Sequence, residues 1–172
     1  VAVILSRHAT LRTQVEEDEN GRPHAKESSA AMVHVPLVDL SAISSAAQCD
    51  AEVRRLVAEE ESRLFDLANG PLLAASLIRL TGGRSVALLN CHHIAVDAWS
   101  MGIIAGELMQ LVCQVTQGKA AAQALVPIDY QYADFACWQA QQLAGSAFDG
   151  QIDYWRKQLA GLPPLLELPT DF

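Results

Sequence analysis

Positive charge is scarce in this chain. Its 172 residues carry 12 Lys and Arg against 20 Asp and Glu, a formal charge of -8, and the cations form no cluster. Phosphate contacts need positive side chains, so this composition argues against a nucleic-acid surface. Cysteine is sparse as well. Cys49, Cys91, Cys113 and Cys137 stand far apart with no C-x-x-C pair, which leaves a structural zinc site or a disulfide framework without support. They read as free, mostly packed thiols of a cytosolic protein. The opening VAVIL is too short to span a bilayer, and it lacks the charged flank and cleavage site of a signal peptide. A cytoplasmic location with no membrane partner is the expectation. A G-x-S-x-G elbow is missing too, which removes the marker of a Ser-His-Asp hydrolase. The sequence begins inside an apolar pattern without methionine and stops at LPTDF with no closing element, so a fragment is expected.

What is present is apolar. Hydrophobic residues make up 51% of the chain, ample for the core of one globular domain. A short strand is predicted at 11–15, then a solvated hairpin or loop through Asn20-Gly21 and Pro23, then a second strand over 30–41 that ends or breaks near Pro36. Val53, Leu56, Val57, Leu64 and Leu67 recur at intervals of three and four, predicting an amphipathic helix over 46–67 with Glu59, Glu60 and Glu61 on its solvated face. Asn69-Gly70-Pro71 stops it. LLAASLIRL and RSVALLNCHH flank Thr81-Gly82-Gly83 as a buried hairpin. Helical periodicity resumes after Asp97 and runs to Gly118, and two further helices follow over 130–145 and 151–162. The order of elements gives a mixed α/β class, a sheet backed by helices.

LLNCHHIAVDAWSMGII, at 88–104, is the segment with chemistry in it. Strand alternation separates His92 from His93, so one faces a cavity while the other is held within the fold. Adjacent residues that diverge, with no third ligand at helical or loop spacing, make a poor metal site. One inward imidazole suffices to accept a proton from an attacking amine or alcohol, or to hydrogen-bond it into line. Asp97 suits the N-cap of the following helix.

These residues carry a specific resemblance. HHIAVDAWS is similar to the HHxxxDG motif of the condensation domains of nonribosomal peptide synthetases, members of the chloramphenicol acetyltransferase-like superfamily. RHATLRTQV at 7–15 resembles that family's RHExLRTxF, with Ala9 for Glu and Val15 for Phe. FDLANGPLLAASLIRL at 65–80 resembles its lead-in to the histidine strand, YADFACWQ at 132–139 its YxDYAxWQ, and YWRKQLAGLPPLLELPTD its exit from the first half.

The resemblance implies a chloramphenicol acetyltransferase-like half, with residues 1–172 as an N-terminal subdomain incomplete at both ends and the C-terminal subdomain missing. It also implies an acyltransferase that joins an upstream carrier-bound acyl or peptidyl thioester to the amine of a downstream carrier-bound aminoacyl thioester. The substrates would ride on 4'-phosphopantetheine arms, with no cofactor bound directly. The partners would be upstream and downstream peptidyl carrier domains and an adjacent adenylation domain. His93 maps to the catalytic histidine, acting as general base or positioning the amine, and His92 to a supporting one. Asp97 maps to an aspartate held by an arginine, for which Arg7 and Arg12 are the choices. Tyr132, Asp134 and Trp138 would pack between helix and sheet. Ala98 replaces the motif glycine; it costs about 1 kcal/mol or more if the site needs positive φ and nothing if it begins the helix. Trp99 could wall the site or be a core aromatic at the helix start. Two other readings stand beside the amide-forming one: an ester-forming acyltransferase of the same superfamily, and a non-catalytic domain that recruits partner proteins.

Overall fold

The computed structural model describes residues 1–28, 32–120, 125–163, 165 and 169. They fall into two compact units, Val1–Gln131 and Tyr132–Phe172.

In the first unit, α1 (Ala2–Arg7) runs through a 3-10 turn (Ala9–Arg12) into β1 (Thr13–Glu17), which pairs antiparallel with β2 (Pro23–Glu27). The strand thus starts two residues later than predicted. The reason is Leu11, which is fully buried and drawn in by a bond from its N–H to the His8 carbonyl. Gly21, at φ 73°, sits in the connecting turn. The predicted strand over 30–41 shrinks to β3 (Leu37–Asp39), just past Pro36, and the part of it at 30–31 lies outside the described residues.

Next come α2 (Ala46–Glu61), β4 (Leu73–Arg79), β5 (Ser85–Cys91) and α3 (Ala98–Thr116). The central sheet is mixed, in the order β3-β4-β5, with β3 parallel and β5 antiparallel to β4. Its two faces explain the unbroken apolar run in β4. Leu73 on one face joins Ile4 and Leu5 of α1, Leu11 of the 3-10 turn, Val96 of the loop before α3, and Ile104 and Leu111 of α3; Ile78 on the other joins Leu40 and Cys49, with Val53 and Leu56 of α2 against them. A strand covered on both sides has no polar side to alternate with. Gly82 and Gly83 between the strands have φ of 68° and 74°, a left-handed pair that side chains with a Cβ resist.

The predicted helix over 46–67 ends early, at Glu61. Its periodic Leu64 is 95% exposed. Asp66 offers the backbone another bonding scheme: its Oδ1 accepts from the N–H groups of Ala68 (2.9 Å) and Asn69 (3.1 Å), and its Oδ2 from Asn69 Nδ2 (2.7 Å). These bonds, with the Asn69 side chain foremost, hold the Asp66 carboxyl below the usual carboxylate range.

Among the described residues α3 is the one helix long and apolar enough to cross a membrane, with a mean hydropathy of 1.2 over its most apolar window. It nonetheless buries Ile104 and Leu111 in the core.

The second unit holds α4 (Tyr132–Ala144) and α5 (Asp149–Gln158), neither of which buries a residue. Within this unit Tyr132 and Trp138 are 62% and 54% exposed. Phe135 stacks between them, its ring centroid 5.9 Å from Tyr132 and 5.7 Å from Trp138.

Candidate functional site

The histidine pair stands where the sheet hands over to α3. β5 ends in register at Cys91 opposite Leu73, and the His92 N–H adds one more bond, 3.0 Å to the Leu72 carbonyl. The chain then turns: the Ala95 N–H donates to the His92 carbonyl at 3.0 Å, and the Ile94 N–H donates to His92 Nδ1 at 3.0 Å. His92 is therefore fixed twice, by backbone and by ring, and its ring meets Phe65 edge-on at 6.0 Å.

His93 is the next residue round that turn, and it is exposed. His92 is half-buried and His93 exposed, a difference set by the turn and not by strand alternation, because the strand has already ended. Further along the turn, Val96 drops into the core at 9% exposure and anchors the far side of the loop.

Asp97 is the N-cap of α3, as its position before the periodic run predicts. Its Oδ1 accepts from the Ser100 N–H at 2.8 Å and from Ser100 Oγ at 2.7 Å. Those two bonds, the hydroxyl first, keep the carboxyl below its ordinary range, and His93 nearby adds to the effect. Ala98 is the first helical residue, and among the described residues none other than glycine has positive φ. The alanine therefore sits where a Cβ is welcome. Trp99, in the first turn, is 81% exposed, which excludes a core role for it.

Neither arginine holds Asp97. Arg7 forks onto Glu107 of α3, Nε to Oε2 at 3.2 Å and Nη2 to Oε1 at 2.9 Å, and also reaches the Val126 carbonyl at 2.7 Å. Arg12 donates to the carbonyls of Leu5 (2.7 Å) and Ser28 (2.8 Å) and pairs with Glu27 at 2.6 Å. The reason is distance along α3: α1 delivers Arg7 about ten residues downstream of Asp97, about 15 Å at helical rise. The first motif therefore braces α1, β2 and α3, and leaves the loop to cap itself.

Glu107 is the residue that sequence reading missed. Its carboxylate, 13% exposed, also takes a 2.8 Å bond from His8 Nε2. Burial alone would raise its pKa, but the bonds from Arg7 and His8 outweigh it and hold the group below its usual range. A signal was available, since Glu107 is the sole charged residue between Ala98 and Thr116. Gln131 completes the brace, donating to the Arg7 carbonyl at 2.9 Å and accepting from the Ala9 N–H at 3.0 Å.

A groove of about 430 Å³ opens beside Phe65, lined by His34, Pro36, Arg63, Asp66, Pro71 and Leu73 among others. Among the described residues no three His, Cys, Asp or Glu side chains converge in a way that could hold a metal ion.

The profile of the Condensation domain family matches residues 1–172. The chain is 42% identical over 170 residues to a linear gramicidin synthase from Brevibacillus parabrevis, covering 99% of this chain and 3% of the synthase. Among solved structures it is similar to one showing condensation domain-mediated chain release from the enacyloxin polyketide synthase, at 28% identity and a TM-score of 0.75, covering 94% of this chain and 30% of that one. It is also similar to the X-domain solved in complex with OxyB from teicoplanin biosynthesis, at 25% identity and a TM-score of 0.78, covering 99% and 36%. This chain thus spans about a third of the solved chains and a few per cent of the synthase. With the sheet, the ordered motifs and the histidine turn all in agreement, the chain belongs to the condensation-domain family of nonribosomal peptide synthetases, in general acyltransferases, with the chloramphenicol acetyltransferase-like fold.

Proposed function

We propose that residues 1–172 are the N-terminal subdomain of a peptide-bond-forming condensation domain and that His93 is its catalytic histidine. The carrying observation is that His93 projects from a turn braced on both sides, by His92 and by the Asp97 cap, with its imidazole exposed. The amine of a downstream carrier-bound aminoacyl group attacks the carbonyl carbon of an upstream carrier-bound thioester. The C–N bond forms, the C–S bond breaks, the upstream thiol departs, and the proton lost by the amine passes to His93 or, if His93 only orients the amine, to the leaving sulfur. The acyl groups arrive on 4'-phosphopantetheine arms, so the arm is substrate. Upstream and downstream carrier domains and an adenylation domain are the partners, in a cytoplasmic megasynthase.

Orientation and exclusion of water supply most of such a rate, and both require a closed cleft. A second subdomain would provide the other wall. The test is amide formation between two loaded carriers, followed by mass spectrometry, with the full-length parent and with the 172-residue chain. Product from the parent alone supports the assignment, and steady condensation by the short chain refutes the split site. An ester in place of the amide when an alcohol acceptor is offered would move the chain to the ester-forming reading. The likeness to an X-domain solved with OxyB favours, as a second reading, a domain that recruits a partner protein. The intact, exposed His93 weighs against it.

A further inference from the structure

We propose that Glu107 is a positioning residue for the histidine turn, acting along α3 on Asp97 and His93; this rests on the assignment of His93 above. Three features of the geometry point there. Glu107 is the one charge in a 19-residue helix, and its side chain is largely withdrawn from solvent, at 13% exposure. The side chains on it, Arg7 and His8, are adjacent residues at the junction of α1 and the following turn. That junction is itself fixed, because Gln131 bonds the backbone on both sides of His8 and Arg7 also grips the Val126 carbonyl.

The division of labour follows from the kind of force involved. Ile104 and Leu111 hold α3 against the sheet through apolar contact, which is non-directional and resists sliding or rotation about the helix axis weakly. A forked Arg–carboxylate pair fixes distance and angle together. A helix transmits both, so a shift at Glu107 reappears about 15 Å away at the Asp97 cap and in the turn it closes. A misplacement near 1 Å at the reacting groups is enough to cost about 100-fold in rate.

The experiment is steady-state condensation by the full-length parent carrying Glu107→Gln, Glu107→Asp, Arg7→Met or Glu107→Gln with Arg7→Met, with turnover expressed per folded domain. The expected result for Glu107→Gln is a kcat lowered roughly 10- to 100-fold with KM for both loaded carriers within about two-fold of wild type. Glu107→Asp, which keeps the charge, recovers part of the loss, and the double variant is no worse than Arg7→Met alone, which already loses the fork and the Val126 contact. A merely structural role would leave kcat per folded domain at the wild-type value, or make the two losses multiply, and either result overturns the proposal. A parent that forms no product even as wild type would count against the assignment of His93 alone. The proposal is then decided on the 172-residue chain by the NMR signals of its imidazoles: Glu107→Gln moves the His93 resonance and leaves that of His24, on the β1–β2 hairpin, in place. An unmoved His93 signal overturns it. Should Glu107→Gln fail to fold, His8→Leu, which removes one bond of the three, is read in the same two ways.

Discussion

Replacing His92 tests the idea that one histidine of the pair builds the loop so that the other can work. His92→Ala removes two things: the Nδ1 acceptor of the Ile94 N–H, and the edge-on contact with Phe65. A hydrogen bond of this kind contributes about 0.5–1.5 kcal/mol, and an aromatic edge contact a further ~0.5–1.5 kcal/mol. The sum, about 1–3 kcal/mol, lowers Tm by roughly 3–9 °C in a chain of this length. His92→Asn separates the parts, since an Asn oxygen accepts from the N–H two residues on, as in an Asx turn. It keeps the backbone bond and forfeits the ring, so it should lose about half as much. His93→Ala, at an exposed turn position, should stay within about 0.5 kcal/mol of wild type. The assay is thermal unfolding of the 172-residue chain by circular dichroism at neutral pH. Equal losses from His92→Ala and His93→Ala, or an Asn variant as damaged as the Ala variant, would refute the division of roles.

Asp97→Ala should lower Tm by a few degrees while Asp97→Asn leaves it nearly unchanged, because the cap needs an acceptor and either side chain supplies one; an equal fall in both would restore a cationic partner. The folded-state pKa of Asp97 is depressed, so the contribution of its charge is present above the unfolded value of about 3.9 and lost as pH falls through the folded value. The gap between wild type and Asp97→Ala should therefore narrow as pH falls below about 4 and through the folded value, without closing, because the protonated carboxyl keeps an acceptor oxygen for the Ser100 N–H. Thiol labelling at mildly alkaline pH should find Cys113 and Cys137 reactive and Cys49 protected, with Cys91 slow because burial pushes its thiol up to about 11; a fast Cys91 would contradict that burial.

Much of the site was legible because its signals are local. Asp97 before a periodic run announces a cap, and Gly82-Gly83 between two apolar stretches announces a hairpin. The strands themselves read as apolar runs because helices cover both faces of the sheet. Legibility fails where the deciding contact is distant in sequence. Arg7 meets Glu107 a hundred residues away, and spacing alone gives no reason to prefer that acid to Asp97. It also fails where a local competitor imitates a pattern. Leu64 and Leu67 continue the period of α2, yet Asp66 between them captures the backbone and the helix is over by Glu61. Trp99 looks like core by residue type, but its position on the solvent side of the first turn of α3 settles the matter.

The most direct test of the central claim is the single-turnover rate of amide formation by the full-length parent, with two loaded carriers, for His93→Ala beside His92→Asn. Loss of an acid–base group lowers such a rate by roughly 10²- to 10⁴-fold, and loss of a group that only orients the amine by less. His93→Ala should fall by at least about ten-fold at unchanged Tm, while His92→Asn, corrected for its folded fraction, stays within a few-fold of wild type. Full activity in His93→Ala would contradict the account.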